Sequence, residues 1–173
     1  MSENELVTTN RVSGSLKQVE PPHPLNPFEN RDLGGAFWTT LDLQTQEGRY
    51  LSDDAFGPTV DDMSKWINKT FIARDVLVHD AQTTDEQTGE VIPLVRVVLI
   101  GANGGMVAWT GRGATRSLTR IGQTWGPPPW VDGLPIKITE IAVGANKRTH
   151  LLTVDQEAVV KQLADSKGAR PSV

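Results

Sequence analysis

A single helical stripe stands inside a run of strands, and it limits the folds open to this chain more than any other feature. Ala114, Leu118, Ile121 and Trp125 recur at helical spacing and predict a helix over about residues 114–124. Three segments with strand character precede it, at about residues 70–79, 91–100 and 106–110, and two follow, at about 136–143 and 148–154. Asn103-Gly104 accepts the positive φ of a tight hairpin, and Gly144-Ala-Asn-Lys147 marks another. Gly126-Pro-Pro-Pro stops the helix, because proline lacks the donor that would continue it. Five strands with one helix between the third and fourth is the element order of the OB-fold, a partly open five-stranded Greek-key barrel. The expected barrel domain covers residues 65–155.

The flanks read differently. Pro21, Pro22, Pro24 and Pro27 crowd residues 1–35, which are expected to form a flexible arm. Residues 36–64 form an acidic extension. Residues 36–43 have strand propensity, residues 49–51 could return as a second strand, and 44–48 would turn between them. Residues 61–69 suit a helical turn, with Asp61 as cap and Met63, Trp66 and Ile67 sharing a face. Asp155 can cap a last helix within residues 156–173, with Ala158, Val159, Gln162 and Leu163 inward and the end fraying. The ten residues 81–90 read as a polar loop, long for a hairpin.

Absences narrow the chemistry. With no cysteine, disulfides, thiolate metal sites and a cysteine nucleophile are excluded. His23, His79 and His150 show no metal-ligand spacing, and neither a nucleophile elbow nor a Walker loop is present. Gly111-x-Gly113 sits where a dinucleotide loop would, but the third glycine is missing and the proline run follows; a tight strand-to-helix turn is the plainer reading. An enzyme or a nucleotide-binding regulator using that loop is a second rival. No enzyme activity and no cofactor are expected. The N-terminus lacks an apolar leader and no run is long enough to span a bilayer, so a cytoplasmic protein without membrane partners is expected.

The net charge of −4 argues against nucleic acid, but its distribution does not. Residues 1–64 hold 4 Lys/Arg against 11 Asp/Glu, whereas residues 65–155 hold 10 against 8. Single-strand binders pair a basic groove with aromatics on which bases stack. The barrel segments offer Phe71, Arg74, His79, Arg96, Trp109, Lys137 and His150, and the turns offer Lys69, Arg112, Lys147 and Arg148. The expected nucleic-acid-binding set is Phe71, Arg74, His79, Arg96, Trp109, Arg112, Lys137, Lys147 and Arg148. Trp66, Trp125 and Trp130 flank apolar residues and read as core or lid; Trp38 fits either role, and Trp109 alternates with Val107 and fits a core position equally well. Arg116 and Arg120 continue a stripe from Arg112, and a solvated face is its plainer explanation.

A resemblance adds to this reading. Thr88-Gly-Glu, Val97-Val-Leu-Ile, Gly104-Gly-Met-Val-Ala-Trp, Gly113-Ala-Thr-Arg-Ser-Leu-Thr-Arg-Ile-Gly, Trp125-Gly-Pro-Pro-Pro-Trp and the closing Ile136-Lys-Ile, Lys147-Arg and Leu151-Leu-Thr-Val resemble small single-stranded DNA-binding proteins encoded by phages and plasmids. The likeness covers about residues 65–155. It implies an OB-fold and a part in DNA replication or recombination, with replication proteins or further copies of the chain as partners. Bacterial proteins of that function often recruit partners through an acidic C-terminal tail; the acidic stretch here is N-terminal, which counts against that route. The rival expectation is a non-enzymatic assembly or virion subunit whose arm docks on a neighbour.

Overall fold

The computed structural model describes residues 37–145 and 147–168. The expected arm over residues 1–35 lies outside them. The elements are β1 (Phe37–Thr39), α1 (Gln46–Asp54), β2 (Asp61–Asp62), a 3-10 turn (Met63–Trp66), β3 (Thr70–Thr84), β4 (Val91–Gly101), β5 (Met106–Trp109), α2 (Arg112–Trp125), β6 (Leu134–Ala142), β7 (Arg148–Val154) and α3 (Gln156–Gly168). The fold is mainly β, a curled half-barrel of mixed sheet with a C-terminal helix. The strand order is β2-β5-β4-β3-β6-β7, with β1 also on β3. β2 runs parallel to β5; the other strand pairs are antiparallel.

β3 is the hub. Residues 70–73 pair with β6, and residues from Asp75 onward pair with β4. The register shifts between Ala73 and Asp75, so Arg74 is the extra residue of a bulge. The shift exchanges faces: Phe71 and Ala73 before it, and Val76 and Val78 after it, all enter the same core. The bulge is held by polar contacts. The Arg74 Nε donates to Asp75 Oδ2 at 2.7 Å, and the Thr40 hydroxyl donates to Asp75 Oδ1 at 2.9 Å. The Trp130 N–H donates to the Arg74 carbonyl at 2.8 Å.

The sheet is covered on both faces, which explains why its middle strands are apolar on both. The inner core joins Val76, Val78, Val97, Leu99, Val107 and Trp109 to Leu118 and Ile121 of α2 and to Ile136, Ile138 and Leu152. The outer core joins Leu77, Val98, Ile100, Met106 and Ala108 to Leu41, Leu51 and Ala55. Each fully buried Leu- or Ile-sized side chain contributes roughly 1.5–3 kcal/mol, so both layers belong to the stable fold.

Several sequence expectations are corrected here. Residues 49–51 are helical, not a strand. Thr45 caps α1 by accepting the Gly48 N–H at Oγ1, 3.0 Å away, and Leu51 and Ala55, one turn apart, pack on the sheet. The cap of the 3-10 turn is Asp62, one residue later than expected, accepting from the Ser64 N–H at 2.8 Å. The β3–β4 ladder runs on to Thr84 and Val91, so the loop between them is only residues 85–90. Asp85 closes it by accepting the Gln87 and Thr88 N–H groups, which hold its carboxyl below the usual range. Leu163 of α3 is exposed rather than inward, while Ala158, Val159 and Gln162 are half-buried.

Candidate functional site

α2 begins where β5 ends and lies along β7. Its buried stripe is Ala114, Leu118 and Ile121. Thr115 ties it to the sheet: the Trp109 Nε1–H donates to Thr115 Oγ1 at 3.0 Å, and that hydroxyl donates to the Gly111 carbonyl at 3.2 Å. Gly113 permits the close approach to β7. A Cβ there would overlap Thr149 Oγ1 and stand 3.0 Å from the His150 carbonyl oxygen. Gly113→Ala is therefore expected to cost about 1–3 kcal/mol by overpacking. Chemical denaturation of the variant checks this.

This packing collects positive charge. Arg112, Arg116 and Arg120 are exposed along one side of α2, and Lys147 and Arg148 are exposed where β7 begins. Residues 112–125 and 147–154 contain no Asp or Glu. Among the described residues, only Arg148 of these five cations makes an ion pair, to Glu140 at 2.6 Å. Arg112 adjoins Gly113, whose contact with Thr149 and His150 sets the start of α2 against the Lys147–Arg148 end of β7. At the other end, Arg120, Thr124 and Trp125 line a cleft of about 200 Å³ with Thr153, Val154 and Gln156. Lys137, exposed on β6, stands directly opposite Thr153 in the ladder. Asp155 borders the cleft, but its carboxylate is occupied. The Thr70 hydroxyl donates to Oδ2 and the Ala158 N–H to Oδ1, and these bonds hold its pKa below the usual value.

The remaining expected site residues are dispersed. Phe71 and Trp109 are 4% and 6% exposed and serve the inner core, so neither offers a free ring face. Arg74 is committed to the bulge through Asp75, with Glu47 at 3.9 Å. His79 and Arg96 are register partners on β3 and β4, on the outer face and away from α2. The His79 ring lies against Phe56, 4.6 Å between centroids, and Phe56 meets Phe37 edge-on at 5.4 Å. His79 and His150 do not meet, because β6 separates β3 from β7. Trp125, expected as core or lid, departs from a core position. It closes the apolar stripe of α2, yet it is 39% exposed while the three residues before it in the stripe are buried. The signal was its position at the last helical residue, beyond the reach of the core. Trp130 is buried as expected, with Nε1 donating to the Gly126 carbonyl at 3.0 Å; Trp38 and Trp66 are half-buried against the inner core.

His79 gives the fold a pH response. Its Nδ1 donates to the Asp80 carbonyl at 2.8 Å, while the buried Nε2 has no partner. Burial pushes its pKa below the ordinary 6.5, reinforced by Arg96 and opposed by the Asp80 bond. Between the lowered value and 6.5 the unfolded chain binds more protons than the folded one. Stability from this group is complete above about pH 6.5 and is lost as pH falls through the lowered value. Urea midpoints measured from pH 8 to 5.5 should fall with acidity, and the fall should shrink in His79→Gln.

Among the described residues, no group of three His, Cys, Asp or Glu side chains could hold a metal ion. No helix among them is long and apolar enough to cross a membrane. In comparisons with known proteins, no family model, curated protein or solved structure matches this chain.

Proposed function

We propose that this chain is a non-catalytic, sequence-independent single-stranded DNA-binding protein with a barrel of the OB type. The observation that carries the proposal is the basic face made by α2 and β7, whose own residues include no Asp or Glu, although Glu140 of β6 reaches Arg148. It places five exposed cations along one packed surface, four of them without an ion-pair partner among the described residues. Such a surface neutralises phosphates without reading base edges, which is how sequence-independent binders gain affinity. The strand order supports the OB reading: β3 pairs with both β4 and β6, β5 and β7 flank them, and the only helix between barrel strands falls between β5 and β6. The resemblance of residues 65–155 to phage and plasmid single-strand binders points the same way and implies work in replication or recombination.

In OB-folds the face of the second and third strands often holds the ligand. Those strands correspond here to β4 and β5, whose outer face is filled by Leu41, Leu51 and Ala55. Beneath them lie Val98, Ile100 and Ala108, an apolar floor rather than a basic groove. The acidic extension thus completes a core, and the DNA contacts fall on α2 and β7.

The test is anisotropy of a labelled oligo-dT titrated with the full chain at several salt concentrations. With four to five phosphates neutralised, the slope of log K against log salt should lie near about −3. A flat response would contradict the reading.

A second reading, a non-enzymatic assembly subunit, draws on the β3–β4 ribbon. Among the described residues, 80–84 and 91–95 pair only with each other, beyond the ladders of β1 and β5, and Val91 and Ile92 are exposed. An isolated two-stranded ribbon is marginal in water, so a neighbouring subunit or a replication protein could complete it. Shortening the ribbon would then abolish assembly and leave oligonucleotide affinity unchanged.

A further inference from the structure

We infer that the cleft at the end of α2 is a nucleobase subsite, in which an unpaired base stacks on Trp125 while its flanking phosphate meets Arg120. This rests on the single-strand-binding reading and deepens it. Three observations point to the cleft. Trp125 is exposed within it, although the preceding members of its stripe, Ala114, Leu118 and Ile121, are buried. The indole is mounted on rigid backbone: it ends α2, Gly126 turns the chain at φ 87°, and three prolines follow. Holding an aromatic ring in place beforehand lowers the ordering cost of binding. Arg120 lines the same cleft and is the last of the row that starts at Arg112, so the cleft is continuous with the phosphate-binding face.

The shape and chemistry then select the ligand. At about 200 Å³ the cleft is smaller than the roughly 300–1,000 Å³ of an enclosed small-molecule site. It suits one flat ring lying on the indole. Val154 offers an apolar wall, and Thr153 and Gln156 offer groups that both donate and accept. Side chains of that kind tolerate any base edge, in keeping with binding that ignores sequence. A single cation beside a stacking ring matches one nucleotide unit of a strand, in which each base carries one phosphate.

The experiment compares oligo-dT with an abasic strand of equal length, using the full chain. Wild type should bind oligo-dT more tightly than the abasic strand by about 5- to 150-fold, the range of one stacked base. Trp125→Ala should lose that preference while keeping its salt dependence. Trp125→Phe keeps an aromatic face and should retain most of the preference, which separates lost stacking from lost folding. If Trp125→Ala keeps the full preference for oligo-dT, the subsite is overturned and the single-strand reading stands. If wild type binds neither strand at any salt, both fall.

Discussion

Trp109→Ala is expected to destabilise the protein by about 3–5 kcal/mol, the usual cost of truncating a buried Trp or Phe. The side chain is 6% exposed and sits in the inner core where β5 passes into α2. Its Nε1–H donates to Thr115 Oγ1, so the variant loses both packing and the tie that fixes the first turn of α2. Trp109→Phe keeps an aromatic ring but loses the hydrogen bond, about 0.5–1.5 kcal/mol, and part of the ring volume, so its cost should fall between that range and the loss in Trp109→Ala. Urea denaturation followed by circular dichroism reads both. Under conditions where both variants remain folded, oligonucleotide affinity should be unchanged in Trp109→Phe, because the ring is inside the barrel. A stable Trp109→Ala variant with a specific loss of DNA affinity would show that the indole faces the ligand after all.

The second large effect concerns charge. Substituting Arg112, Arg116 and Arg120 together with Ala removes three exposed cations that make no ion pair among the described residues. Each phosphate contact on a single strand contributes about −0.7 to the salt slope. The triple variant should therefore have a slope shallower by about 2. Taking the electrostatic part to vanish near 1 M salt, affinity at about 0.1 M should drop roughly a hundredfold. Stability should hardly change, since surface substitutions away from packed features stay within about 0.5 kcal/mol. A control replacing Lys65 and Lys69, outside α2 and β7, should leave the slope almost as it was. Equal losses in the two variants would mean that net charge, rather than this face, governs binding.

Much of the fold was legible because the strands announce themselves by β-branched runs and turn residues. Residues 91–100, 106–110 and 148–154 emerge with bounds shifted by a residue or less. What failed was the judgement of what lies on each face. Residues 76–78 and 97–100 are apolar at consecutive positions, which signals two covering layers, and the second layer is α1. α1 itself is nine residues long with only Gly48, Leu51 and Ser52 buried, too few to register as a periodic stripe. Thr45 followed by Gly48, with Leu51 and Ala55 one turn apart, was the available clue. The end of β3 reads as loop because residues 81–84 are polar but for Ala81 and carry no alternation.

The site was half legible for the same reason. The four-residue repeat of Arg112, Arg116 and Arg120 is visible in the sequence, and so is the absence of acids around it. That β7 carries Lys147 and Arg148 to the same surface follows only from the packing of α2, which depends on Gly113. Aromatic residues could not be sorted by local pattern. Phe71 faces inward because a bulge at Arg74 sets the parity of β3, and Trp109 because the inner face is the one α2 closes. Trp125 escapes burial because the helix ends there.

The central claim is that single-stranded DNA lies on α2 and β7, and backbone amide chemical shifts recorded during an oligo-dT titration test it most directly. Shifts should concentrate in residues 112–125 and 147–154, extend to Lys137, and spare Leu51, Val98 and Met106 beneath the outer cover. Shifts clustered instead on that outer face or along the β3–β4 ribbon, or none at all at low salt, would contradict it.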